Sequence, residues 1–193
     1  HFNYRERYPE TAAFFLPDFP VDAEVKYKDN LMNAYDNSIR YTDNFLARII
    51  HLLKQQQVDA SMLYTSDHGE DIFDDGRHLF LHASPVPSYY QLHVPLLLWT
   101  SDSYREEYPG IEKAASMNRQ KNISSSISFF QTMMELAGIE TPYRNDSLSV
   151  TSPLYTEKSR VYLNDHNEPH PLDDIGMRKE DFEMLRKRGI DAQ

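Results

Sequence analysis

The chain has 193 residues, 40% of them hydrophobic and 26% charged, enough to build a packed core without staples. Lys and Arg total 20 against 30 for Asp and Glu, a formal charge of -10 that excludes wholesale binding of a nucleic-acid backbone. There is no cysteine, which excludes disulfides, thiolate zinc sites and a cysteine nucleophile; any metal must sit on His, Asp, Glu or water. Residue 1 is His, no apolar leader follows it, and the longest strongly apolar run, 94–99, is far too short for a membrane span. The sequence therefore reads as a soluble, single-unit piece of a longer protein.

In chain order, residues 1–22 are rich in aromatics and proline, with Pro9, Pro17 and Pro20 blocking a regular helix, and are expected to form an extended, partly buried segment. Ile39, Leu46, Ile49, Ile50 and Leu53 recur at helical spacing and predict a helix over 33–57. Asp36, Asn37 and Asp43 suit its early turns and Lys54 its end. Residues 58–65 read as a short buried strand whose apolar run, 61–65, is covered on both faces, and 66–85 as a polar loop. Residues 94–100 predict a second buried strand, in which Pro95 is tolerable near the start. A charged connection over 101–122 leads to a helix over 124–136 that ends at Gly138. After a loop over 140–158, residues 160–164 are a third strand candidate, and a short charged helix over 179–188 stops before Gly189. Helix, strand, loop, strand, helix, strand is an α/β order.

The chemistry concentrates after the first strand, in Ser66-Asp67-His68-Gly69-Glu70. Functional groups in open α/β sheets gather at the carboxyl ends of strands. Neighbouring residues point apart in a strand, so Asp67 and His68 serve one ion only if the chain turns, which Gly69 permits. The alternative is a turn-capping aspartate beside an ordinary loop histidine. His82, fourteen residues after His68, can return to the same place if the loop folds back. His78 reads as a solvated turn residue, His93 as packed or hydrogen-bonded, His51 as a surface residue, and His166 and His170 as loop. There is no G-x-S-x-G, Walker loop or G-x-G-x-x-G, and with only 6 glycines a backbone phosphate cradle is poorly supplied.

Three ordered stretches then carry a resemblance. Tyr64-Thr65-Ser66-Asp67-His68-Gly69-Glu70, followed by Leu81-His82-Ala83-Ser84-Pro85 and by His93-Val94-Pro95-Leu96-Leu97-Leu98-Trp99, is similar to the S-D-H-G-E, L-H-G-x-P and V-P motifs of the lipid A-modifying phosphoethanolamine transferases, within the sulfatase-like, alkaline-phosphatase superfamily. Tyr35-Asp36-Asn37-Ser38-Ile39 resembles the family's Y-D-N-S/T-I helix, and the opening His1-Phe2-Asn3-Tyr4-Arg5-Glu6-Arg7-Tyr8-Pro9 resembles its S-H-G-P-x-Y-x-x-R-Y-P. The departures are Ala83 for glycine, Phe2-Asn3 for Gly-Pro, a slightly longer interval before His82, and no disulfides.

The resemblance implies an α/β three-layer sandwich of alkaline-phosphatase/sulfatase type, with 1–193 forming the C-terminal part of its catalytic domain and the strands at 61–65 and 95–100 central. It implies zinc as cofactor, with Asp67 and His68 as ligands, and His1, His82 and Glu70 at the substrate or a second metal. The implied reaction moves phosphoethanolamine from a phospholipid donor to lipid A through a phospho-threonine. No catalytic nucleophile is expected among these residues, since Thr11, Thr42 and Thr65 match no family motif, and the chain alone is expected to be inactive. The resemblance also implies the periplasmic face of the inner membrane, with an anchor before His1. Two other readings remain open at this point: a sulfatase or phosphodiesterase of the same superfamily, and a metal-free domain that binds an envelope partner.

Overall fold

A computed structural model describes residues 3–82, 84–163, 166 and 168–190. The chain divides into two compact units, one made of residues 1–52 and 68–93, the other of 53–67 and 94–193. Among the described residues no helix is long and apolar enough to cross a membrane.

The first unit is organised by helix α1, Lys28–Gln56, which begins five residues before the expected start. Its buried positions are Leu31, Ala34 and Asn37, in its N-terminal half. The apolar stripe farther along is less covered: Ile39 is 50% exposed and Leu46, Ile49, Ile50 and Leu53 are only half-buried. Asn37, expected only to suit an early turn, faces the interior instead. It is fully buried, and its amide holds the proline-rich segment against the helix. Its Oδ1 accepts the Phe14 and Phe15 backbone N–H groups, each at 2.9 Å, and its Nδ2 donates to the Phe15 carbonyl at 3.0 Å and to Tyr8 Oη at 3.2 Å. Tyr8 in turn donates to Asp18 at 2.7 Å, and Arg5 pairs with Asp18 at 3.2 Å. The segment is extended and partly buried as expected, with short 3-10 turns at Tyr4–Arg7 and Glu10–Ala12.

The unit's core joins Tyr4, Leu31 and Ala34 to Ile72 and Phe73. Those last two come from the stretch expected to be plain loop. It contains a hairpin of strands β2, Asp71–Ile72, and β3, Phe80–Leu81, paired antiparallel as Asp71↔Leu81 and Ile72↔Phe80. Phe73 and Phe80 stack at 5.0 Å across it. A one-turn helix α2, Tyr89–Leu92, follows, capped by Ser88, whose Oγ accepts the Gln91 N–H.

In the second unit, β1, Ser61–Thr65, pairs antiparallel with β4, Leu96–Thr100, in the register Ser61↔Thr100 to Thr65↔Leu96. Both strands fall where the apolar runs place them. Burial on both faces does not: every residue of β1 is only half-buried, and Leu97 of β4 is 46% exposed. Leu63, Leu98 and Trp99 border a cavity of about 720 Å³, so among the described residues that side of the strand pair is incompletely packed.

The charged connection after β4 is two helices, α3 Asp102–Glu107 and α4 Pro109–Asn118. Ser101 caps the first by accepting the Tyr104 N–H, and Pro109 starts the second at a position where no N–H is needed. Helix α5, Ser125–Leu136, ends as expected, with Gly138 at φ +63°. The expected loop after it is unusually buried. Asn118 Nδ2 donates to the Val150 and Ser152 carbonyls, and Thr132 Oγ1 accepts the Val150 N–H, so the two helices supply the partners of its backbone. Strand β5, Val161–Leu163, pairs with β6, Pro169–Pro171, and helix α6, Lys179–Lys187, stops before Gly189 at φ +74°. Asn164, the expected end of the third strand, lies outside the described residues.

Candidate metal and phosphate site

The β2–β3 hairpin sets the geometry. Glu70 immediately precedes β2, His82 immediately follows β3, and the pairing of Asp71 with Leu81 brings the two side by side. His82 Nδ1 lies 3.1 and 3.2 Å from the two Glu70 carboxylate oxygens. The His68 ring stacks on the His82 ring with centroids 3.6 Å apart. The interval of fourteen residues is thus closed by a hairpin, and His78 in its turn and Leu81 at the end of β3 take positive φ, +54° and +65°. Left-handed backbone at a leucine is strained by roughly 1 kcal/mol, and it is held immediately beside His82.

His68, Glu70 and His82 each offer one ligand atom, all within 4.8 Å of one another. The set is half-buried, and the Glu70 side chain is 10% exposed. Zinc holds N and O donors at about 2.0–2.2 Å, hence within about 4.4 Å of each other, so two imidazoles and a carboxylate that lie within 4.8 Å need only a small approach to hold that ion. His68 Nδ1 lies 2.9 Å from the Gly69 carbonyl oxygen; donation there leaves Nε2 with its lone pair, the arrangement that orients metal-binding imidazoles.

The other expected site residues fall as follows. Asp67, next to His68 in the chain, is exposed and 3.5 Å from Ser66 Oγ. His1 lies outside the described residues. His93 is hydrogen-bonded, at 2.8 Å from the Tyr89 hydroxyl. His51, His78 and His166 are exposed, and His170 lies 3.8 Å from Glu168.

Gly69 contributes more than turn flexibility. Its φ is not in the left-handed region, but a Cβ there would lie 1.9 Å from the Tyr90 carbonyl oxygen. The Gly69 N–H donates to the Gln91 carbonyl at 2.8 Å. The main chain of the motif runs directly against that of α2, which only glycine permits.

Asp71 was not marked by its sequence position, yet it braces the hairpin. It is 2% exposed and accepts bonds from Ser88 Oγ at 2.8 Å and from Gln91 Nε2. The adjacent acids Glu70 and Asp71 point opposite ways, as strand alternation requires, one to the histidines and one inward. Burial is the largest influence on the Asp71 carboxyl and raises its pKa above the ordinary 3.8; the bonds from Gln91 and Ser88 oppose this. The folded state then holds this proton more tightly than the unfolded chain. The stability it contributes is present below the ordinary value and is lost as pH rises through the raised one. In urea unfolding between pH 3 and 7, wild type should therefore lose stability relative to Asp71→Asn as pH rises. A difference that does not change with pH would contradict this assignment.

The family described as Sulfatase matches residues 1–139. The phosphoethanolamine transferase EptA of Escherichia coli O157:H7 is 33% identical over 145 residues, 72% of this chain and 26% of that protein. The Kdo(2)-lipid A phosphoethanolamine 7''-transferase of Escherichia coli K12 is 30% identical over 148 residues, 74% of this chain and 25% of that protein. The chain thus spans about a quarter of these relatives. Among solved structures, the C-terminal periplasmic domain of EptC from Escherichia coli, in complex with Zn, matches with a TM-score of 0.76 at 26% identity, covering 91% of this chain and 50% of that one. The corresponding domain of EptC from Campylobacter jejuni matches at 0.67 and 27% identity, over 80% and 49%. The α/β class of sulfatase type expected from the sequence holds, and the described residues form part of such a catalytic domain. The chain belongs to the sulfatase family.

Proposed function

We propose that this chain forms part of a zinc-dependent phosphoethanolamine transferase that acts at the periplasmic face of the inner membrane, with a phospholipid as donor and lipid A as acceptor. The observation that carries the reading is the convergence of His68, Glu70 and His82 within 4.8 Å, in a chain whose relatives are named as phosphoethanolamine transferases. Asp67 and His68 are the proposed zinc ligands. His1, His82 and Glu70 are proposed to face the substrate phosphate or a second metal. Bound zinc would supply Lewis acidity at the phosphoryl oxygens and at the attacking hydroxyl.

The residues of this chain do the rest by position and charge. Glu70 holds the His82 ring through its carboxylate, and the ring's stacking on His68 fixes the pair as a unit. The His82 imidazole is placed to hydrogen-bond a phosphoryl oxygen where charge gathers during in-line displacement. The nucleophile is proposed to be a threonine outside these residues. Its oxygen bonds to phosphorus as the diacylglycerol oxygen departs, and a lipid A phosphate oxygen then displaces it, so phosphoethanolamine passes on intact.

The test is zinc content by elemental analysis, on wild type, on Asp67→Ala/His68→Ala and on His82→Ala. Wild type should hold about one zinc per chain, the double variant none, and His82→Ala less than wild type. A zinc-free wild type, or equal zinc in all three, would sink the proposal.

A further inference from the structure

The proline-rich segment of the first unit turns its apolar side chains outward. Phe14, Leu16, Phe19 and Val21 are 65, 66, 71 and 78% exposed, and all four fall in one short stretch of chain. Exposed apolar residues scattered singly are ordinary, but a contiguous set marks a surface that something else covers. The charged residue within 14–21 is Asp18, and it points the other way. It is 6% exposed and is held by the Tyr8 hydroxyl and by Arg5.

The backbone decides what kind of surface this suits. Asn30, Asn33 and Asn37 recur along one face of α1. Their amides donate to the carbonyls of Phe19 at 3.2 Å, Pro17 at 2.9 Å and Phe15 at 3.0 Å. The Phe14 and Phe15 N–H groups are taken by Asn37, and Pro17 and Pro20 have none. Much of the polar main chain is therefore satisfied from the helix side, while the apolar side chains face out. A protein partner supplies such bonds itself. A hydrocarbon phase cannot, so a segment that enters lipid must bring them along. The same bonds hold the segment in place, which lowers the ordering cost of contact.

The local charge agrees. The exposed Arg40 carries its guanidinium 4.2 Å from the centroid of the Phe14 ring, and that of Arg5 lies 5.6 Å from the centroid of Phe19. Of the acids that follow, Glu24 is paired with Lys26 at 2.9 Å and Asp22 accepts the Ala23 N–H at 2.7 Å. Cations resting on the rings of an apolar tip can meet lipid phosphates while the rings go deeper.

We propose that residues 14–21 dock the first unit onto an anionic phospholipid surface. Phe14, Leu16, Phe19 and Val21 enter the headgroup–acyl boundary, and Arg5 and Arg40 meet the phosphates. This goes beyond the transfer reading and does not depend on it, since no metal or nucleophile takes part.

The experiment is flotation of the 193-residue chain with vesicles of phosphatidylcholine, with and without phosphatidylglycerol. Wild type should float with the mixed vesicles and less with the neutral ones. Leu16→Ser/Phe19→Ser should weaken partition about tenfold or more, and Arg40→Gln about fivefold. Leu154→Ser, at a residue 64% exposed in the second unit, should change nothing. These positions are exposed, so each variant should keep the urea midpoint of wild type. Phe19→Trp guards against a loss through misfolding, because the indole favours the interface and should bind at least as well as wild type. Absence of flotation by wild type, or equal flotation of the double variant, would overturn the proposal. So would self-association that the double variant abolishes while vesicles bind nothing, which would make the patch an interface between copies of this chain. Vesicle binding without zinc leaves this inference standing and sinks the transfer reading; zinc without vesicle binding does the reverse.

Discussion

Gly69→Ala is expected to cost about 3 kcal/mol or more of stability and to displace the histidine cluster. The Cβ would lie 1.9 Å from the Tyr90 carbonyl oxygen and 3.1 Å from its carbon. Ordinary contact begins near 3.4 Å. One main chain must therefore retreat from the other by about 1.5 Å, and no side-chain rotation can relieve it. Overpacking with a flexible neighbour costs about 1–3 kcal/mol, and here the neighbour is backbone. Retreat also breaks the bond from Gly69 N–H to Gln91 O, worth about another 1 kcal/mol. His68 and Glu70 flank the displaced residue, so bound zinc should fall together with stability. Gly76→Ala is the matched control, since nothing lies within 4 Å of its added Cβ and the change should stay within about 0.5 kcal/mol. Urea unfolding and zinc content of the three proteins decide the matter. A Gly69→Ala chain that loses less than about 1 kcal/mol and keeps its zinc would show that α2 yields easily and that the close approach is incidental.

This clash also shows where the sequence was informative. The order Asp67-His68-Gly69-Glu70 marks the place, and the apolar runs on either side locate β1 and β4 to within three residues. Gly138 and Gly189 end their helices through local backbone conformation, which a sequence carries openly. The reason for Gly69, by contrast, lies in a segment twenty-one residues away, at Tyr90. The β2–β3 hairpin was hidden for a related reason. Its strands are two residues each, too short for a period to show, and its pairing is stabilised by Phe73 on Phe80 and by Ser88 and Gln91 on the buried Asp71. Helices α3 and α4 were hidden by their charge. They bury few side chains, chiefly Tyr104, Ala114 and Asn118, so no apolar stripe announces them. The family motifs named Glu70 and His82 as site residues, but only the hairpin register explains why they touch.

Asn37 is the position where sequence pattern misleads most, and its replacement should be nearly as damaging. On a helix beginning at Lys28 it lies in the third turn, facing inward between Ala34 and the proline-rich segment. Asn37→Leu keeps the approximate size and raises helix propensity, so a purely hydrophobic view predicts a gain. The hydrogen bonds reverse that sign. Leucine would strand the Phe14 and Phe15 N–H groups and the Phe15 carbonyl, and would remove a donor to the Tyr8 hydroxyl. Each buried polar group left unpaired costs about 1–3 kcal/mol, and the sum should approach 3–5 kcal/mol after partial rehydration. The loss should be uneven. The Phe14 and Phe15 amides should exchange with solvent far faster, and protease should cut within 13–22 before the rest of the chain opens. Asn37→Asp separates hydrogen bonding from shape. It keeps the acceptor for both amides but places a second carboxylate near Asp18, whose Oδ2 lies 3.4 Å from the Asn37 amide nitrogen. That variant should regain stability at low pH, where either acid can carry a proton, whereas Asn37→Leu should not. If Asn37→Leu were as stable as wild type, the segment from Tyr8 to Pro20 would owe its place to apolar packing, and the buried amide would be dispensable.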